Sequence, residues 1–270
     1  MVWLWIGTAA VVFALARAMR PTLDAPVLRR VNYAGRDIPT AGGIAAVAGF
    51  AIALGVASIT NAPDAPLAFS GALVVFGFAS IGLFDDVVGS HTARGFRGHL
   101  NALRRGELTS GLTKLLVGVG VAGTFSAGEF RFGFRLLYVV IIAGSANVAN
   151  LLDLRPARSV KAAFVVAAAL VIATRGDVVV ESNLLFVAAV AGLSIGELRE
   201  EFMLGDTGAN ALGAAVGVAV VCACRGDAVQ LGIAAACVVA VNVAGELVSF
   251  SRMIERTPVL RSLDRWGRRG

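Results

Sequence analysis

Charge is scarce in this chain. Only 16% of its 270 residues are Asp, Glu, Lys or Arg, where a soluble domain of this length carries about a quarter. The shortage argues against a soluble domain, and a 57% hydrophobic composition with a mean hydropathy of +0.78 points to lipid as the solvent. Cysteine is scarce too. Cys222, Cys224 and Cys237 all lie in apolar runs, and their spacing excludes a zinc or redox motif, which leaves small apolar packing as their role. Histidine is limited to His91 and His99. There is no internal repeat, no low-complexity tract and no room for a separate soluble domain, so residues 1–270 read as one integral-membrane domain.

What fills the chain is a series of apolar runs, at about 2–19, 41–60, 66–84, 111–127, 134–152, 160–174, 179–196, 208–224 and 228–250. Runs of this length mark transmembrane helices. They are continuous rather than alternating, which favours helices over a barrel, because each helix satisfies its own backbone in lipid. The expected fold class is all-α: a polytopic transmembrane bundle of about nine spans. The "ALA" at Ala14–Ala16 mimics a signal-peptidase site, but "MVWLW" has no basic n-region and eight runs follow, so the first run is expected to remain a helix. With the N-terminus outside, only Arg131, Arg135, Arg175 and Arg225 of the 24 basic residues fall in outer loops, as the positive-inside rule requires. The C-terminus then lies inside, with its basic tail "RSLDRWGRRG". The net charge of +6 reads as inner-face topology and attraction to anionic lipid or substrate, not nucleic acid.

Polar residues gather at the inner ends of these runs. "GRDIPTAGG" (Gly35–Gly43) opens the second, "FDD" closes the third, and "ELTSGLTK" (Glu107–Lys114) opens the fourth. "GSANVANLLDLRP" (Gly144–Pro156) closes the fifth, and "GELREEFMLGDTGAN" (Gly196–Asn210) joins the seventh and eighth. Ionisable groups at such depths are functional candidates. Each cluster also has a plain reading: Asp85 and Asp86 as interfacial caps, Asn147 and Asn150 as a helix-bridging pair, Asp206 as an N-cap, Lys114 as a snorkelling side chain. Their convergence favours chemistry. Asp85, Asp86, Asn147, Asn150, Asp153 and Asp206 at one depth repel one another unless a hard divalent cation joins them, and Mg²⁺ takes one or two carboxylates and leaves positions for phosphate. Arg36, Arg97, Lys114, Arg155 and Arg158 around them suggest a phosphate-rich anion, hence phosphoryl chemistry on a lipid or nucleotide.

Four of these motifs, "IPTAGGI", "GLFDD", "NVANLLD" and "FMLGDTGANALG", resemble in order the inner-face motifs of the polyprenyl-phosphate N-acetylhexosamine-1-phosphate transferases. The superfamily includes phospho-N-acetylmuramoyl-pentapeptide transferase and the GlcNAc-1-phosphate transferases. The likeness covers roughly residues 30–215, and "GFRGHLNALRRGELTSGLTK" resembles the loop after the paired aspartates in some branches. The resemblance implies Mg²⁺-dependent attack of a polyprenyl (undecaprenyl) phosphate on the β-phosphorus of a UDP-sugar. The products are lipid-diphosphate-sugar and UMP, for cell-envelope glycan synthesis such as peptidoglycan. It implies that Asp85 or Asp86 orients or deprotonates the lipid phosphate. Asp206 matches the principal metal-binding aspartate, Asn150 and Asp153 the positions that contact metal or diphosphate, and Lys114 a basic residue near the lipid phosphate. Thr40 and Gly42 fall in the turn at the edge of the site. It further implies a multi-pass protein of the inner (plasma) membrane, with its site facing the cytoplasm, and a homodimer.

The chain departs from the family in three places. The family continues "NLxDG-DG" where this chain has "NLLDLRPARS", so that Arg155 and Arg158 stand as candidate diphosphate ligands. The histidine-rich loop near the C-terminus and the tenth helix are missing. Arg199, Glu200 and Glu201 offer an alternative nucleotide contact, or are simply solvated charges. A CDP-alcohol phosphotransferase is rejected, since "DDVVGSHTAR" has no downstream aspartates at helical spacing. A transporter would place its polar residues midway along broken helices. A catalytically altered or inactive relative, serving as a lipid-binding or assembly partner, is the alternative that substitution of Asp206 separates.

Overall fold

A computed structural model describes residues 2–40, 42–59, 65–88 and 110–268. His91, His99, Arg97 and most of the loop that carries them lie outside the described residues. Nearly all the rest is helix, as expected from runs that bond their own backbone. Helix α1 (Val2–Ala18) and the short α2 (Arg20–Leu23) lead to strands β1 (Arg29–Val31) and β2 (Asp37–Pro39). Then come α3 (Gly42–Ile59), α4 (Ala65–Val88), α5 (Ser110–Phe125), α6 (Phe132–Leu152), α7 (Arg158–Ala173), α8 (Val178–Asn183), α9 (Leu185–Leu198), α10 (Gly205–Ala223) and α11 (Ala228–Leu247). Two short helices, α12 (Phe250–Arg256) and α13 (Pro258–Arg265), close the chain.

Among the described residues five helical stretches are long and apolar enough to cross a membrane: Gly42–Ile59, Phe69–Val88, Phe132–Leu152, Gly205–Ala223 and Ala228–Leu247. Val2–Ala18, Lys114–Gly128 and Leu185–Leu198 are apolar but shorter. The run expected at 179–196 is divided into α8 and α9 at Leu184. Asp177 caps α8 by accepting from the Val179 and Val180 amides, and Asn183 turns inward to donate to Val179 O at 2.8 Å.

Helix α10 is the axis of the bundle. Of its window, 83% is buried, against 11% for α11. Small residues make this possible, because without Cβ bulk the backbones approach closely. A methyl group on Gly213 would sit 2.2 Å from Ser145 O on α6, and one on Gly82 of α4 would sit 2.1 Å from Asp206 O. The apolar core around α10 includes Phe186, Ile141, Ile142, Leu193 and Leu212.

The one departure from an all-α chain among the described residues is the antiparallel pair of β1 and β2, in register Arg29↔Pro39 and Val31↔Asp37. Asn32 Oδ1 accepts from the Ala34 and Arg36 amides and shapes the turn. The hairpin then docks on the α9–α10 connection. Met203 N donates to Pro39 O at 2.7 Å, Gly42 N to Met203 O at 3.0 Å, and Gly43 N to Leu204 O at 2.9 Å. The "IPTAGG" and "FMLGD" segments are thus joined by main-chain hydrogen bonds across the bundle.

Candidate functional site

The start of α10 gathers carboxylates from three other helices. A helix begins with amide donors that have no partner within it, at the positive end of its dipole. Here four consecutive amides are answered. Leu204 N–H donates to the Glu197 carboxylate from the last turn of α9, and Gly205 N–H donates to Asp153 at the end of α6. Asp206 N donates to Asp86 Oδ1 at 3.0 Å, and Thr207 N to Asp86 Oδ2 at 2.9 Å. Thr207 Oγ1 adds a third bond to Asp86 Oδ2 at 2.6 Å. Asp86, in the last turn of α4, is therefore the cap of a helix that begins more than a hundred residues later. The N-cap role that Asp206's position suggested falls to it instead.

Asp85, one residue earlier, faces the other way. Lys114 of α5 donates to Asp85 Oδ2 at 2.9 Å and also to Asp206 Oδ2. All three side chains keep some exposure, 14% for Asp85, 21% for Lys114 and 26% for Asp206, so an anion can reach them. Asp153 lies within electrostatic reach of Glu197, Asp206 and Asp86. Desolvation and then those charges push its carboxyl well above the usual carboxylate range.

Among the described residues, three buried polar atoms in this region have no partner: Thr40 Oγ1, Glu197 Oε2 and Asn210 Nδ2. Asn150 reaches the same neighbourhood, with Nδ2 3.2 Å from Asn210 Oδ1. Asp153 and Glu197 share a cavity of ≈ 20 Å³ with Asn32, Tyr33, Arg155 and Phe202, room for about one water. Backbone contact completes the site, since a methyl group on Gly205, at φ +74°, would fall 1.7 Å from Thr40 O.

The structure thus brings Thr40, Asp85, Asp86, Lys114, Asn150, Asp153 and Asp206 together. It turns three expected ligands elsewhere. Asn147 donates to Asn242 Oδ1 at 2.6 Å and ties α6 to α11, the plain reading of that pair. Arg155 lies over the Tyr33 ring, 4.3 Å from its centroid, and pairs with Glu255 at 3.1 Å. Arg158 is 5% exposed and is held by Asp264 (Nε to Oδ1, 2.8 Å) and Ser251 Oγ (3.0 Å). A guanidinium so enclosed is not presented to a diphosphate. Glu200 is no solvated charge either. It is buried, accepts from Asn32 Nδ2 at 2.6 Å and Tyr33 Oη at 3.0 Å, and pairs with Arg36.

Glu197 is the site residue that the sequence hides. In "GELREE" it reads as one of several solvated acids, yet it is 3% exposed. Its only signal is its place in the last turn of an otherwise apolar run.

Among the described residues no group of three or more His, Cys, Asp and Glu side chains converges on one point as a metal site. The carboxylates of Asp85 and Asp206 do converge, on Lys114. Two carboxylates suit Mg²⁺, which draws its remaining ligands from water and substrate phosphate. Glu197 Oε2 is a further carboxylate oxygen at this end with no partner among the described residues.

Fold and site together define a helical protein with membrane-length helices and a carboxylate–lysine cluster where those helices end. The chain matches no protein-family model and no curated protein.

Proposed function

We propose that the protein is a polyprenyl-phosphate sugar-1-phosphate transferase that uses Mg²⁺ and a UDP-sugar and works at the inner face of the plasma membrane. The observation that carries this reading is Lys114 held between Asp85 and Asp206 at helix ends, beside Asp153. In the reaction an oxygen of the lipid phosphate attacks the β-phosphorus, the bond to the UMP oxygen breaks, and UMP leaves with that electron pair. A phosphate monoester is already nucleophilic, so the task of Asp85 and Lys114 is placement. Lys114 draws the lipid phosphate to the rim, and Asp85 sets the direction of the ammonium. Asp86 is a positioning residue that fixes the first turn of α10 and hence Asp206. Asp206, with Asp153 and Asn150, would hold Mg²⁺, which when bound neutralises charge on the diphosphate and the departing UMP. An apolar cleft of ≈ 310 Å³ between α6, α7, α10 and α11 includes Leu152 in its wall, next to Asp153, and suits an isoprenoid chain. In this reading α1, α5, α7 and the α8–α9 pair complete nine crossings, with the N-terminus outside and the C-terminus inside. The protein is taken to form a homodimer.

The test is UMP release by purified protein in detergent with undecaprenyl phosphate, Mg²⁺ and a panel of UDP-sugars. Release from one donor, abolished by EDTA and reduced about 100-fold or more by Asp206→Asn, is the expected result. Absence of UMP with every donor, from folded protein that binds the lipid, rejects the transferase in favour of a lipid-binding relative.

Glu197 gives a second expectation. Glu197→Gln keeps an acceptor for the Ala157 and Leu204 amides but removes a negative charge from the cation site. Mn²⁺ affinity, read by the loss of the free-ion paramagnetic signal, should fall about tenfold, as for an outer partner of a metal site. Unchanged affinity would remove Glu197 from the site.

A further inference from the structure

The C-terminal helices take no part in the site described above, yet α13 is strongly amphipathic. Val259, Leu263 and Trp266 recur at i, i+4 and i+7 and so share one face. That face is open, with Val259 69%, Leu263 59% and Trp266 75% exposed. Arg261 and Arg265 lie on the opposite side of the helix, and Arg252 and Arg256 of α12 are likewise exposed.

A helix of eight residues is too short to hold itself together in water. This one is held by its polar flank. Asp264 accepts from Arg158 (Nε 2.8 Å, Nη2 3.2 Å) and from Arg268 (2.7 Å). Lys161 of α7 donates to the Leu263, Asp264 and Trp266 carbonyls at 3.1, 3.0 and 2.7 Å. Burial alone would raise the Asp264 carboxyl, but Arg158, Arg268 and Lys161 outweigh it and keep it below its ordinary value. The bundle thus fixes the rotation of α13 and turns three large apolar side chains away from itself. Only the short α12 separates α13 from α11, a helix of membrane length that ends at Leu247, so α13 begins 11 residues beyond the end of that helix.

We propose that α13 is an interfacial anchor that seats the protein on an anionic bilayer surface. Val259, Leu263 and Trp266 enter the boundary between headgroups and acyl chains, and Arg252, Arg256, Arg261 and Arg265 hold anionic headgroups around them. An apolar face with Trp and Leu, with arginine on the opposite polar face, has the composition of helices that lie in the plane of that boundary. A second copy of the chain fits the face less well, because the arginines of two copies would meet with like charge. The proposal is independent of the transferase reading, and its test uses no activity.

The full chain carrying Trp3→Phe and Trp5→Phe, in which Trp266 alone emits, is placed in nanodiscs of phosphatidylcholine with and without phosphatidylglycerol. The acyl chains carry bromine. With phosphatidylglycerol, Trp266 emission should shift to the blue and be quenched several-fold more than in phosphatidylcholine alone. The exposed pair Arg261→Ser/Arg265→Ser should erase that difference without altering thermal unfolding. Water-like, unquenched emission in both lipids overturns the proposal, as does equal quenching in both. Blue-shifted emission that bromine does not quench, from discs holding two copies, would assign the face to a second chain and also overturn it. If the Trp3/Trp5 replacements do not fold, the difference in emission between wild type and Trp266→Phe carries the same reading.

Discussion

Gly205→Ala is expected to prevent the bundle from closing at its polar end. Alanine at φ +74° costs about 1–2 kcal/mol on backbone grounds. The larger cost is steric, since the new methyl would lie 1.7 Å from Thr40 O and 3.0 Å from Asp86 Oδ2. Neither neighbour can yield. Thr40 belongs to the segment joined to Met203 and Leu204 by main-chain bonds, and Asp86 is held by three donors. A total of roughly 4 kcal/mol or more places this among the most damaging single changes, a fall in melting temperature of about 10 °C or an absence of folded protein. Gly120→Ala on α5 is the control. It meets nothing within 4 Å, and exchanging a helical Gly for Ala gains up to about 1 kcal/mol. Equal melting of the two variants in detergent would refute the close packing of Thr40 on α10.

The paired aspartates should separate by what they lose. Asp86→Ala strands two amides and a buried hydroxyl at the start of α10. At about 1–3 kcal/mol for each unsatisfied donor, the variant should unfold well below wild type, with activity lost in proportion to folded protein. Asp85→Asn removes one partner of Lys114 while Asp206 keeps the other. Its stability should fall by less than that of Asp86→Ala, since the amide oxygen can still accept from the ammonium and Asp206 remains its counter-ion. Its turnover should fall about 100-fold through misplacement of the ammonium. Melting and UMP release measured on the same preparations decide it. Equal stability losses in the two variants would mean that Asp85 is structural as well.

The sequence makes this end of the molecule legible because apolar runs stop abruptly at polar motifs, and helix ends are where side chains from distant segments meet. Asp85, Lys114, Asp153 and Asp206 emerge together on that ground alone. What stays hidden depends on partners far away in the chain. Arg158 reads as a free cation until Asp264, 106 residues later, encloses it. Glu200 reads as solvent-facing until the β1–β2 hairpin brings Asn32 and Tyr33 onto it. The hairpin escapes notice because its strands have three residues each and its docking rests on Met203 and Glu200, which no local pattern announces. The span expected at 179–196 looks continuous because Asn183 gives no composition signal of a break. Its effect comes from turning back onto Val179 O and packing on α4, where a methyl group on Gly71 would meet Asn183 Oδ1 at 1.8 Å.

The capping of α10 by Asp86 also bears on how the chain is made. The amides that satisfy this carboxylate lie 120 and 121 residues downstream, and the strand that holds Pro39 in place waits still longer for Met203. During synthesis α3, α4, α5 and α6 are therefore complete before the α10 amides and Met203 are available to their polar ends. Contacts of such sequence separation form late and slowly. The growing chain passes through a stage in which Asp86 and Asp153 still lack the α10 amides that answer them. Arrival of the small-residue helix α10 between the earlier helices is then the event that turns a loose set of helices into one body, and protein quality control has its longest opportunity just before it.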